Sequence, residues 1–221
     1  MEWSEHRERQ ASRYADGLAR LPDDADARQR QLTRVANAAL GAGFAELMAG
    51  HRDEAERWLL EAASRYRESY VGAPPDSWGR MIGAVKLRVV AGDWDGGAED
   101  ARWTLECGAA AAASPIGRYA ASVAELVLEN DDAAAALAEG LVAQRGEGFP
   151  IDVADAIAAI ATRDESRYAQ AFESVVRSFE TREEYLEDVP IADTALMLAA
   201  LAARRAIASD ATSELFPGGV A

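Results

Sequence analysis

A 38-residue recurrence constrains this chain more than any other feature of it. The stretch Ser77-Trp78-Gly79-Arg80-Met81-Ile82-Gly83-Ala84-Val85-Lys86-Leu87-Arg88-Val89-Val90-Ala91-Gly92 reads as one helix. It is entered from a polar cap, carries an apolar face and is closed by a glycine. A weaker copy runs from Gly117-Arg118-Tyr119-Ala120 to Glu129-Asn130. Thirty-eight residues separate Gly79 from Gly117, and the same number separates Gly92 from Asn130. Two landmarks at one spacing predict stacked supersecondary units, each too small to bury its apolar face alone.

The remaining chain divides in the same manner. Trp3, Tyr14, Leu18 and Leu21 among charges predict an amphipathic helix over residues 3–21, which Pro22 stops. Asp23, Asp24 and Asp26 are able to cap the next helix, over 27–49. Its Gly43 falls on the apolar face, where the missing side chain predicts the close approach of a neighbour. Further helices are expected over 54–66, 98–107, 115–130, 133–143 and 153–161, then from Asp164 through Phe179, and over 195–206. Between them lie the loops Val71-Gly72-Ala73-Pro74-Pro75 and Arg145-Gly146-Glu147-Gly148, and the turn Gly92-Asp93-Trp94-Asp95. Asp76 or Ser77 is the natural cap of the 77–92 helix, and Asp131-Asp132 of the helix after Asn130. First helices of successive pairs end at Gly50, Gly92, Asn130 and Arg163, at intervals of 42, 38 and 33 residues. Short connections imply antiparallel neighbours. The expected fold is all-α: a right-handed α-solenoid of degenerate helical hairpins with no sheet. Its organisation would be an N-terminal helix (1–26), a helical-repeat domain (27–210) and a frayed tail (211–221).

Composition narrows the function classes. At 221 residues, 49% hydrophobic and 28% charged, the chain is long enough to bury a sizeable core. No apolar run approaches the ~20 residues that span a bilayer, and the charged N-terminus lacks the apolar stretch of a signal peptide. With its single Cys107 unable to form an internal disulfide, a cytoplasmic protein is expected. A net charge of −15 repels phosphate and anionic lipid, so neither nucleic acid nor a membrane is an expected partner. Lys86 is the only lysine. An acidic, lysine-poor, alanine-rich chain resembles the proteins of salt-adapted organisms, whose charge serves solubility. The functional reading of the same charge is a basic partner.

No catalytic, metal or cofactor site emerges. The two histidines, His6 and His51, lie far from Cys107 in sequence, and no Glu-x-x-His pair marks a di-metal bundle. There is no Gly-x-Ser-x-Gly elbow, and Gly41-Ala42-Gly43 follows no strand. Asp131-Asp132 and Glu183-Glu184 read as caps and solvated charge rather than an acid–base pair. What stands out is cationic: Arg34, Arg80, Lys86, Arg88 and Arg118 all fall on first helices. They either line a groove for acidic groups or pair with acids of the flanking helices. Arg80 and Arg88 lie roughly 80° apart on the helical wheel while Lys86 is roughly 160° from Arg88, so the three cannot share a face. Trp78 and Trp94 flank the same helix and suit either partner anchoring or core packing. The candidate partner-binding residues are therefore Trp78, Arg80, Arg88 and Arg118.

Two resemblances bear on function. Ala49-Gly50-His51-Arg52-Asp53-Glu54-Ala55-Glu56-Arg57-Trp58 resembles the turn between the helices of a tetratricopeptide repeat, and Asn130-Asp131-Asp132-Ala133 is a poorer match. Arg163-Asp164-Glu165-Ser166-Arg167-Tyr168-Ala169-Gln170-Ala171-Phe172, with Ile191 and residues 195–202, is similar to the C-terminal part of the immunity protein 49 family. That likeness implies a non-enzymatic helical protein that binds and neutralises a toxin. A general tetratricopeptide-like scaffold for an acidic peptide tail is the alternative reading, and an enzyme built on an unrecognised carboxylate is the third.

Overall fold

The computed structural model describes residues 2–143 and 149–219, and the described residues are helical with no strand. The helices are α1 (Trp3–Ala19), α2 (Ala25–Met48), α3 (Arg52–Val71), α4 (Trp78–Ala91) and α5 (Trp94–Glu106). After them come α6 (Pro115–Val127), α7 (Asp131–Ala143), α8 (Ile151–Thr162), α9 (Glu165–Glu180) and α10 (Asp193–Ala203). The loop expected over Arg145 to Gly148 and the end of the tail, Val220-Ala221, lie outside the described residues.

Short acceptors start several helices. Asp24 accepts from the Ala27 amide at 2.8 Å, Asp93 from Gly96 at 3.0 Å, Ser114 from Gly117 at 3.1 Å and Asp164 from Arg167 at 3.0 Å. Because Asp93 caps, α5 begins at Trp94, four residues ahead of the helix expected from Ala98. Ser77 occupies the cap position of α4 without capping it: its hydroxyl donates to Pro74 O at 2.7 Å, and Asp76 accepts from Trp78 Nε1 at 3.0 Å. Asp131 lies inside the first turn of α7, where the guanidinium of Arg205 takes its carboxylate.

Four turns are built alike. α2, α4, α6 and α8 each close on a left-handed residue: Gly50 (φ 84°), Gly92 (φ 82°), Glu129 (φ 62°) and Arg163 (φ 56°). In each case the next amide reaches back to the carbonyl five residues earlier. His51 N meets Glu46 O, Asp93 N meets Arg88 O, Asn130 N meets Glu125 O and Asp164 N meets Ala159 O, all at 2.9 Å. The left-handed residue itself donates to the carbonyl three residues back, which completes a Schellman closure. These residues stand 42, 37 and 34 apart, so the third landmark is Glu129, one before the Asn130 expected.

Consecutive helices pack on one another in order, and α6 also touches both α4 and α8. Burial alternates. Fourteen of the 24 residues of α2, nine of 13 in α6 and eight of 12 in α8 are buried, against three of 17 in α1 and three of 13 in α7. α2, α4, α6 and α8 are therefore the inner layer. Gly43 of α2 is where α3 comes nearest: a Cβ there would stand 3.2 Å from the Leu59 backbone nitrogen and 2.8 Å from its side chain.

After α9 the chain turns back across this layer instead of extending it. The 3-10 turn Leu186–Asp188 packs on α2, and α10 packs on α4, α8 and α9. Met197, Leu198 and Leu201 of α10 are fully buried, and Asp193 at its start holds Lys86 of α4 in an ion pair. The described part of the tail expected from residue 211 lies against the same layer. Phe216 is buried and stacks on Phe172 with ring centres 6.3 Å apart, Ser213 donates to Glu180 at 2.8 Å, and Leu215 O accepts from Ala192 at 3.1 Å.

α1 closes the other side of that turn through His6 and Gln10, both buried. Gln10 donates to Glu187 Oε2 at 3.2 Å, and Arg9 donates to His6 Nδ1 at 2.6 Å. Burial first, and the neighbouring Arg9 second, hold the His6 pKa below its ordinary value, outweighing Asp188 and Glu187.

Two tests follow from this geometry. Arg163→Gly relieves a side chain from the left-handed region and should stabilise the protein by about 0.5–1 kcal/mol in urea unfolding. Gly92→Ala, whose new Cβ would meet no atom within 4 Å, should cost about 1–2 kcal/mol from backbone strain alone. As for His6, a depressed pKa means that the unfolded chain takes up the proton first. Stability from this site is complete above the ordinary histidine pKa of ~6.5 and erodes as the pH falls below it. His6→Gln should flatten that part of the stability–pH curve, and an unchanged slope would place the titration elsewhere.

Candidate functional site

The four residues singled out in sequence do not converge. Trp78 is buried with Met81, Ala120 and Ala121. From α4, Arg80 reaches back to α2 and α3, where it donates to Gln29 Oε1 and Ser69 O. Its acceptors are neutral, and burial draws its pKa below the usual arginine value. Arg88, two turns further along α4, meets α5 instead. Its Nε donates to Asp100 Oδ2 of α5 at 2.5 Å, and Nη1 engages Asp93. Burial alone would lower its pKa; the two carboxylates outweigh burial and raise it. Arg118 lies in the first turn of α6, with Nη2 3.4 Å from Ala113 O.

Asp100 is the centre of the only-inward charge on α5: it is fully buried, and its second oxygen accepts from Arg67 of α3 at 2.5 Å. Arg67 in turn lies over the Trp103 ring, 4.9 Å from its centre. One carboxylate thus ties α3, α4 and α5 together. Such a cluster is architecture, because both guanidiniums are spent on it. Asp100→Asn would leave two partly buried cations facing a neutral amide and should cost about 3 kcal/mol in stability, measured by denaturant unfolding.

An open cleft lies elsewhere, at the point where α10 crosses the inner layer. It encloses about 530 Å³. Its walls are Leu47 at the end of α2, Val89, Val90 and Gly92 at the end of α4, Trp94 at the start of α5, and Leu196, Ala199, Ala200 and Ala203 along α10. Pro217 closes one side, and the two charged lining residues are Arg52 and Arg204. Arg204 stacks over Trp94, 4.4 Å from the ring centre, and its Nη2 meets the carboxylate of Glu129. Arg52 is exposed and has no ion-pair partner among the described residues. Volume and lining are those of a small-molecule or side-chain pocket: apolar walls with a few convergent polar groups.

Sequence reasoning named Trp94 as a flank of α4 but not Arg52 or Arg204. Arg204 enters the site only because α10 folds back over residues more than 100 positions earlier, a placement that no local pattern encodes. Among the described residues no group of three or more His, Cys, Asp or Glu side chains is placed to hold a metal ion. No described helix is long and apolar enough to cross a membrane. No protein-family model matches the chain, and no curated protein or solved structure shows significant similarity to it.

Proposed function

We propose that the chain is a non-enzymatic, cytoplasmic protein-binding module. In this reading its hairpins form a right-handed α-solenoid of degenerate, tetratricopeptide-like repeats, and its role is of immunity type, binding and neutralising a toxin. The observation that carries the reading is the sorting of charge. Lys86 and Arg88 of α4 are spent on internal carboxylates, and the exposed faces of the outer helices α3, α5 and α9 carry more acids than arginines. The acids include Asp53, Glu54 and Glu56 on α3, Asp95, Glu99 and Glu106 on α5, and Glu165, Glu173 and Glu180 on α9. With a net charge of −15, such faces complement a basic protein surface and steer its approach. The four recurring turns and the alternation of inner and outer helices support the repeat reading.

One observation favours the alternative, a scaffold for an acidic peptide: Arg80 is a cation whose acceptors are neutral, so its charge is available to a partner's carboxylate. Affinity capture from the native host, at its own salt concentration, separates the two. The immunity reading expects one basic partner, with an association rate that falls about tenfold when Glu54, Glu56 and Glu99 are changed together to Gln. The scaffold reading expects an acidic partner lost on Arg80→Ala. Recovery of the monomer alone would overturn both.

A further inference from the structure

We infer that the cleft beneath α10 is a binding site for a small apolar carboxylate, an aliphatic acid of medium chain length. This goes beyond the binding of a protein partner and does not depend on it. The cleft's 530 Å³ falls within the range of small-molecule pockets, and its lining is apolar except for two arginines. An aliphatic body would cover the Val89, Leu196 and Trp94 surfaces, which removes apolar area from water. Among the described residues that line the cleft none is acidic, and the two charged ones, Arg52 and Arg204, are both cations on a chain whose net charge is −15.

The structure also displays the recognition it would use. Arg204 is held by its stack on Trp94, which leaves the edge of the guanidinium to donate. That edge already grips a carboxylate, the one of Glu129. Glu129 belongs to the chain, closing α6, and its side chain is 59% exposed. An exposed ion pair of this kind contributes little and exchanges readily. Glu129 is thus a built-in stand-in for the ligand's head group. Arg52, the other cation of the lining and without an ion-pair partner among the described residues, would take the second carboxylate oxygen.

The experiment is calorimetric titration of the full chain with octanoate and, as a control of equal length without the charge, with octan-1-ol. Saturable one-to-one binding of octanoate is expected, with the alcohol roughly tenfold weaker because it forgoes the charge-assisted bonds. Glu129→Gln should tighten octanoate binding several-fold by freeing Arg204, and Arg52→Gln should weaken it by a similar factor. Arg52 and Glu129 are both exposed, so neither change threatens folding, and capture of a protein partner should be unaffected by either. Equal binding of the alcohol, indifference to both substitutions, or no saturable binding up to roughly millimolar octanoate would each overturn the inference.

Discussion

A helix that is apolar around most of its circumference has to be covered on every side, and here that requirement organises the whole molecule. α6 and α8 are buried over most of their length, so the more polar odd-numbered helices can shield only one of their faces. The chain's own C-terminal segment lies against this layer as well, with Leu186–Asp188 on α2 and α10 on α4 and α8. The Lys86–Asp193 pair sits at this junction with both side chains largely buried, and so does Met197, which no solvent reaches. A fold arranged in this way does not leave its inner surface free for a partner: the chain occupies that surface itself.

The local geometry that makes the layers alternate is the left-handed closure of each inner helix. A Schellman turn reverses the chain within two or three residues, which places the following helix antiparallel and outside. Two of the four closures use glycine, whereas Glu129 and Arg163 adopt the conformation at a cost that glycine avoids. The four closures share one backbone geometry at intervals of 42, 37 and 34 residues, although the residues that adopt it differ.

Helices and their order were legible in the sequence because prolines, glycines and short acceptors punctuate it, and because each apolar stripe has a helical period. The close approach at Gly43 was legible for the same reason. The cap expected at Ser77 was not, since its hydroxyl and the Asp76 carboxylate have nearer acceptors and donors in their own loop. Nor was the position of α10. Its sequence reads as one more apolar helix, and only partners such as Lys86, 107 residues away, reveal that it folds back. The destinations of the cations followed from that long-range packing. Wheel angles correctly separate Lys86 from Arg88, yet they do not say that one meets α10 and the other Asp100. The cleft rimmed by Arg52 and Arg204 was illegible for the same reason.

Lys86, Arg67 and Arg88 bind neighbouring helices together through Asp193 and Asp100, while most of the acids stand in solvent. The claim on which everything rests is that α10 belongs to the inner core and is not a detachable strap. Native-state hydrogen exchange tests it directly. The amides of α10 should exchange only with global unfolding, as slowly as those of α4 and α8. Exchange of α10 well ahead of those helices would contradict the account, because the inner layer would then stand without its cover.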